Sequence, residues 1–283
     1  MKDDQGIRES VSKAYAKAVT SGGAISCCGG PVQKGVLAKL AGYDGETLST
    51  LPDGAVVNSF GCGNPLAYSE VKPGDVVLDL GSGAGIDILL AARTVGPTGH
   101  VIGIDMTDEM IAKAEKNIDA SGLSNLEVRK GIIEDLPVET SSVDWVISNC
   151  VINLSPEKDR VFSEIARVLK PGGRMLVSDI VVQDLPELAL QSQALYNSCI
   201  AGAISEETYV EGLRNAGLEE VEVRERLIYD AAQLQAFINS ELEKLTETSS
   251  GCGDQGLGVE AMNEITTAMV GKVWSVKVGA TKP

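Results

Sequence analysis

The sequence predicts an α/β protein with a doubly wound parallel sheet, preceded by an irregular N-terminal segment and followed by a smaller C-terminal α+β region. From Val71 onward, short apolar runs typical of buried strands alternate with helical patterns, which is the order of a parallel sheet. After Pro186 this alternation ends. The sequence therefore divides into residues 1–70, 71–185 and 186–283. We expect the first segment to contribute thiols and a cover for a cofactor, the second to bind that cofactor, and the third to form a substrate-binding lid.

The individual elements follow from the period of the apolar residues. Strands are predicted at residues 76–80, 100–105, 126–131, 143–150 and 174–182, and helices at 86–94, 108–121 and 156–169. Outside this region, helices are predicted at 8–20, 188–202 and 206–215, a half-exposed strand at 221–227 and an edge strand at 272–278. Ligands of such sheets bind beyond the carboxyl ends of the strands, so chemistry is expected there.

The composition limits which kinds of partner the protein can bind and in which cellular compartment it is expected. The formal net charge is −16, and an acidic protein is repelled by nucleic-acid phosphates and by anionic membrane surfaces. No apolar run approaches the roughly 18 residues that span a bilayer, and the first ten residues show no secretory signal pattern. We therefore expect a cytoplasmic protein without nucleic-acid or membrane partners. In a reducing compartment its six cysteines are poor candidates for a disulfide framework.

A glycine-rich turn indicates a nucleoside site. Gly81, Gly83 and Gly85 stand between the first predicted strand and its helix, where glycine permits a tight turn and a close approach of ligand to backbone. The second strand ends in Asp105, whose carboxylate can accept hydrogen bonds from ribose hydroxyls. This spacing alone allows either a nicotinamide dinucleotide or S-adenosylmethionine.

The pattern Gly-x-Gly-x-Gly resembles motif I of class I S-adenosylmethionine-dependent methyltransferases, whereas nicotinamide folds usually show Gly-x-Gly-x-x-Gly. Residues 103–106 and 169–173 resemble two further motifs of that superfamily, and the resemblance covers about residues 71–182. It implies a Rossmann-like sheet and S-adenosylmethionine as cofactor. Met106 would lie against the adenine, with Ile133 and Glu134 near the adenine edge. The implied cofactor-binding set is Gly81, Ser82, Gly83, Asp105, Met106, Ile133, Glu134 and Asn149.

The cysteines carry a second resemblance. Cys150 ends the fourth predicted strand, Cys199 lies on the predicted helix at 188–202, and Cys62 stands between two glycines ahead of the sheet. Residues 148–154, 61–63 and 199–203 resemble segments of arsenite methyltransferases. The resemblance implies that these three cysteines bind trivalent arsenic, and that a cysteine near the N-terminus joins the redox steps. Either Cys27 or Cys28 fits that last role.

Thiol chemistry suits this interpretation. Soft thiolates favour thiophilic ions, and three of them leave trivalent arsenic a lone pair that can attack a sulfonium methyl group in line. The arsenic loses no proton, so no general base is required, and the only histidine, His100, begins a strand at the opposite end from the expected site. Methylation raises arsenic to the pentavalent state. A dithiol drawn from Cys27, Cys28 and Cys62 can reduce it again, and thioredoxin or glutathione would reopen the resulting disulfide.

The sequence thus predicts methylation of arsenite and methylarsenite, presented as thiol adducts, for arsenic detoxification. Two alternatives stay open. The first is a methyltransferase acting on carbon or oxygen of a small molecule such as a quinone precursor, for which the cysteines would be dispensable. The second is a thiol sensor that binds a metalloid and retains the fold. Zinc is disfavoured because the sequence contains no Cys-x-x-Cys pair. Cys252, among glycines, is expected to be an exposed spectator.

Overall fold

A computed structural model describes residues 4–20, 45–57, 64, 69–231, 234 and 259–283 of the chain. Within these ranges, seven strands form one sheet. They are β1 Val76–Leu80, β2 His100–Asp105, β3 Leu126–Lys130, β4 Val143–Asn149, β5 Leu169–Val182, β6 Glu219–Ile228 and β7 Val273–Thr281. The spatial order is β3-β2-β1-β4-β5-β7-β6, with the first five strands parallel and the last two antiparallel to their neighbours. The predicted α/β sheet is confirmed.

Helices cover both faces of the sheet. The described helices are α1 Asp4–Thr20, α2 Gly45–Ser49, α3 Asp53–Val57, α4 Ile86–Val95, α5 Asp108–Ser121, α6 Lys158–Val168, α7 Glu187–Leu190, α8 Gln193–Asn197, α9 Glu206–Asn215 and α10 Val259–Met269. Helix α6 packs on one face through Phe162, whose ring centroid lies 5.1 Å from that of Tyr209 on α9. Helix α4 packs through Ile88 and Leu89 on the other face. None of the helices among the described residues is long and apolar enough to cross a membrane.

The C-terminal strand departs from the prediction. The segment at 272–278 was expected to form an edge strand, but β7 lies between β5 and β6 and pairs with both. Two neighbouring strands satisfy its backbone groups on either side, so its alternating pattern reflects packing within the sheet. The edge at this end of the sheet is β6, whose exposed residues include Glu220, Glu222, Arg224 and Arg226, and charged side chains are common on edge strands. Helix α10 was not predicted.

The segment at 188–202 also differs from the single helix that was expected. It forms two short helices, α7 and α8, and Cys199 lies in the turn after α8. Cys199 has a positive φ of 63°, which a right-handed helix does not accommodate. The fifth strand begins earlier than predicted, at Leu169. Its pairing with β4 skips residues 170–173, which bulge outward around Gly172 at φ 76°.

Candidate active site

A pocket opens at the carboxyl ends of β1, β2 and β4, where the strand order reverses direction. The space that its walls enclose, counted together with the open mouth, is about 940 Å³. All eight residues expected to bind a cofactor line it, namely Gly81, Ser82, Gly83, Asp105, Met106, Ile133, Glu134 and Asn149. Cys150 lines it as well. The topology therefore brings together residues from separate predicted motifs.

The glycine turn forms one wall of this pocket. Gly81 has φ 68°, and a Cβ there would lie 2.4 Å from Cγ2 of Val151, so a side chain would clash as well as strain the backbone. Gly83 has φ 52°, and no heavy atom lies within 4 Å of where its Cβ would stand. A side chain at Gly83 would occupy open space. The turn thus leaves room for a ligand to approach the backbone closely.

Asp105 ties this turn to the end of β2. One carboxylate oxygen, Oδ2, accepts a hydrogen bond from the backbone N–H of Gly83 at 3.0 Å, and Oδ1 accepts one from Thr107 at 2.8 Å. Burial raises the pKa of Asp105, and these backbone hydrogen bonds act in the opposite direction. A carboxylate has lone pairs for further donors. Asp105 is therefore positioned to receive hydroxyl groups of a ligand in the pocket.

Helix α1 closes the pocket from the N-terminal side, and three of its residues, Arg8, Val11 and Tyr15, line the cavity. Arg8 Nε donates to Glu134 Oε1 at 3.1 Å, and the same guanidinium pairs with Glu157. A cover from this segment was expected, but Arg8 was not singled out. Nothing local to Arg8 in the sequence indicates a partner 126 positions away, and the amphipathic pattern of the helix was the only available signal.

The thiol side of the site is formed by two cysteines that lie 49 positions apart. The Sγ of Cys199 donates to the backbone oxygen of Cys150 at 2.7 Å, and Cys150 N–H donates to Ser178 O at 2.8 Å. Both cysteines have left-handed backbones, with φ of 59° for Cys150 and 63° for Cys199. Such conformations are uncommon away from glycine and cluster at functional sites. The structure therefore places the sulfur of Cys199 against the backbone of Cys150.

The surroundings of these two cysteines are apolar. Both are buried in a cluster that includes Val11, Leu154 and Ile200. The side chain of Cys150 is disulfide-bonded, with a partner other than Cys199, which is a thiol. The predicted roles of Cys27, Cys28, Cys62 and Cys252 fall outside the described residues. Within the described ranges, no group of three or more metal-binding side chains comes together.

His100 lies at the amino end of β2, opposite the pocket. Its Nε2 lies 3.1 Å from Oε1 of Glu127 on the neighbouring strand, and its side chain is partly exposed. His100 therefore lies at the start of β2, as predicted, and is not among the residues that line the pocket. Lys158, whose pKa is lowered by burial, interacts electrostatically with Cys199 and with Asp179, whose pKa burial raises to about 7.

Comparison with known proteins adds the family context. A family model described as a methyltransferase domain matches residues 71–222. An arsenite methyltransferase of Halobacterium salinarum is 43% identical over 235 residues, which cover 78% of this chain and 60% of that protein. The human arsenite methyltransferase is 38% identical over 169 residues, covering 56% of this chain and 44% of the human protein. The chain thus spans 60% or less of the length of both relatives.

One solved structure shares the fold of this chain. The crystal structure of an arsenic(III) S-adenosylmethionine methyltransferase from Chlamydomonas reinhardtii superposes with a TM-score of 0.56. The two chains are 33% identical, and the match covers 87% of this chain and 72% of the algal one. Because the two chains are this similar over most of their lengths, they belong to one family as well as sharing a fold.

Proposed function

Since this chain belongs to the methyltransferase-domain family and, within it, to the arsenite methyltransferases, we propose that it transfers methyl groups to trivalent arsenic held by cysteine thiolates. The observation that carries the proposal is the meeting of Cys150 and Cys199, in strained backbone conformations, beside the pocket at the end of β4. The acceptors would be arsenite and methylarsenite, delivered as thiol adducts, and the outcome would be detoxification of arsenic.

The cofactor is S-adenosylmethionine, which when bound supplies a methyl group on an electrophilic sulfonium sulfur. The pocket fits this molecule because the space beside Gly83 is open to a ligand, and because the half-buried carboxylate of Asp105 lines the same pocket. We assign the ribose hydroxyls to Asp105 and the adenine to Met106 and Ile133. Asn149, near the thiols, would contact the methionine part.

The protein's own contribution is to hold arsenic and exclude water. Thiolate sulfur is a soft ligand that suits trivalent arsenic better than oxygen or nitrogen ligands do. Cys199, and Cys150 once its disulfide is reduced, would supply two such ligands from one apolar cluster, and Cys62 is proposed as the third. Because arsenic retains its own electron pair as the nucleophile, no side chain needs to remove a proton. Fixing the acceptor beside the cofactor pocket supplies the proximity on which catalysis depends.

A redox step would complete the cycle. Methylated arsenic is pentavalent, and two thiolates that form a disulfide return it to the trivalent state. The disulfide at Cys150 supports participation of this residue in such exchange. Cys27 or Cys28, together with Cys62, are the proposed partners. Thioredoxin or glutathione would restore the thiols.

Replacing Asp105 with alanine is expected to weaken S-adenosylmethionine binding by about 1–3 kcal/mol, the usual loss for hydrogen bonds to a charged group. Titration calorimetry on the purified variant measures this directly. An unchanged affinity would contradict the ribose assignment.

Replacing Arg8 with alanine is expected to weaken cofactor binding about five- to tenfold. The variant loses the ion pair that holds α1 over the pocket, and the buried Glu134 carboxylate loses the guanidinium with which it pairs. The matched control is Arg160→Ala. Arg160 also pairs with Glu157, at 3.0 Å, but no contact joins it to Glu134. Calorimetric affinities of the two variants should differ. Equal affinities would show that α1 is not fastened over the pocket through Arg8.

The proposed function is tested by incubating the protein with arsenite, isotopically methyl-labelled cofactor and a thiol, followed by chromatographic separation of the arsenic species. We expect label in methylated arsenicals. Arsenite binding without consumption of cofactor would favour the sensor alternative. Label transferred to a quinone precursor, by a protein in which the cysteines are dispensable, would favour the small-molecule methyltransferase.

A further inference from the structure

The turn that follows Cys150 is held by side chains from outside it. Residues 150–155 connect β4 to α6, and every backbone carbonyl among them accepts a hydrogen bond. Two of these bonds lie within the turn itself. The other four come from three side chains: Cys199 at Cys150 O, Tyr196 at Leu154 O, and Lys158 at two carbonyls.

Lys158 makes the largest contribution to this arrangement. Its Nζ donates to Ser155 O at 2.8 Å and to Asn153 O at 3.3 Å. Buried carbonyls that lose their donors are costly, so removing this ammonium group would leave both of them unsatisfied. The turn has a thiol ligand at one end, Cys150, and a pocket-lining residue, Ser155, at the other. A shift of this turn therefore displaces one sulfur relative to the cofactor.

The location of Lys158 is not explained by helix formation. It is the first residue of α6, where the helix dipole disfavours a cation. Its ammonium group instead interacts electrostatically with Asp179, Cys199 and Glu134. Asp179 in turn accepts a hydrogen bond from the side chain of Asn153 at 2.8 Å, which fastens the same turn to β5. The lysine thus lies where the thiols, the turn and the pocket wall meet.

We propose that Lys158 is a positioning residue for the arsenic site, which fixes the turn after Cys150 so that the sulfurs of Cys150 and Cys199 converge on one acceptor. The inference rests on the proposed function and deepens it. Lys158 acts through the backbone of Asn153 and Ser155 and takes no part in bond formation. An arsenic ligand displaced by even about 1 Å can lower the rate on the order of a hundredfold, because reacting groups must be aligned.

The test compares Lys158→Met, an unbranched side chain one atom shorter that lacks the donors, with Lys158→Arg, which restores them. The matched control is Lys170→Met. Lys170 is a half-buried lysine that pairs with Asp144 at 2.8 Å, away from the pocket. Each full-length variant is assayed for kcat and KM toward arsenite, for the affinity of S-adenosylmethionine, and for its thermal midpoint.

For Lys158→Met we expect kcat/KM toward arsenite to fall at least about tenfold, cofactor affinity to change less than about threefold, and Lys158→Arg to recover most of the loss. The control should behave as the parent protein does. The inference is overturned if Lys158→Met matches the control, or if arsenite and cofactor constants fall together and arginine restores neither. Absence of arsenite turnover in the parent protein would instead reject the proposed function, so the two failures are distinguishable.

Discussion

Replacing Cys199 with serine is expected to reduce methylation of arsenite at least about a hundredfold while leaving S-adenosylmethionine affinity nearly unchanged, because a hydroxyl is a hard, protonated ligand at neutral pH. The Sγ of Cys199 lies beside the turn after Cys150 and is not part of the cofactor-pocket lining. Turnover is measured from labelled methyl groups recovered in arsenic species. Binding of the cofactor is measured by calorimetry on the same preparation.

Cys150→Ser is expected to reduce methylation of arsenite to a similar extent, and its cofactor affinity is measured separately because Cys150 lines the pocket. Cys252→Ser is the matched control, because Cys252 is predicted to be a spectator. Serine differs from cysteine by one atom, so packing around Cys199 is little disturbed, whereas Cys150→Ser also removes the disulfide at that residue. If Cys150→Ser and Cys199→Ser both retain the turnover of the Cys252→Ser protein, thiolate binding of arsenic is refuted. The small-molecule methyltransferase alternative would then gain support.

Replacing Asp179 with asparagine is expected to make the protein progressively more stable than its parent as the pH rises. Burial raises the pKa of Asp179 from 3.8 to about 7 in the folded protein. Below about pH 4 the carboxyl group is protonated in both folded and unfolded states. Between about pH 4 and 7 only the unfolded chain releases the proton, so the contribution of this group to stability is lost as the pH rises through the folded pKa.

Asparagine does not titrate, so the difference in unfolding free energy between variant and parent should grow by about 4 kcal/mol from about pH 4 to about pH 8. Chemical denaturation at several pH values measures it. Groups that titrate alike in the two proteins do not contribute to the difference in unfolding free energy between them. The neighbours that set the pKa are Ile180 N, Asn153, Tyr209 and Lys158, and none of them is changed. A difference that stays constant with pH would show that Asp179 ionises normally.

The cofactor pocket could be predicted residue by residue because its signals are local. Gly81 and Gly83 are required by backbone angles that only a few neighbouring residues determine, and Asp105 ends a strand whose apolar run is visible in the sequence. Parallel strands carry their carboxyl ends to one edge, so strand-terminal residues meet there once the alternation of strand and helix is recognised. All eight predicted residues line the pocket. The glycine turn and Asp105 were indicated by these local signals, and the remaining residues by the resemblance to methyltransferase motifs.

The contacts that hold α1 over the pocket, and those that hold the turn after Cys150, could not be predicted in the same way. Arg8 reaches Glu134 across 126 positions, and Lys158 holds carbonyls whose direction depends on the turn after Cys150. The sequence at 188–202 indicated a helix, whereas packing against that turn ends α8 and places Cys199 in a left-handed conformation. Local preference was overridden by contacts between distant segments.

The sequence alone determined the sheet, the glycine turn of the proposed cofactor site and the choice of cysteine for the proposed chemistry. Strand periodicity and glycine conformations are properties of short segments, and the softness of a thiol is a property of a single side chain. Tertiary structure alone decided that β7 lies inside the sheet, that α1 fastens over the pocket through Arg8, and that Cys199 lies against the backbone of Cys150. These features depend on how distant segments share one apolar core, and the free energy of that packing is spread over many residues.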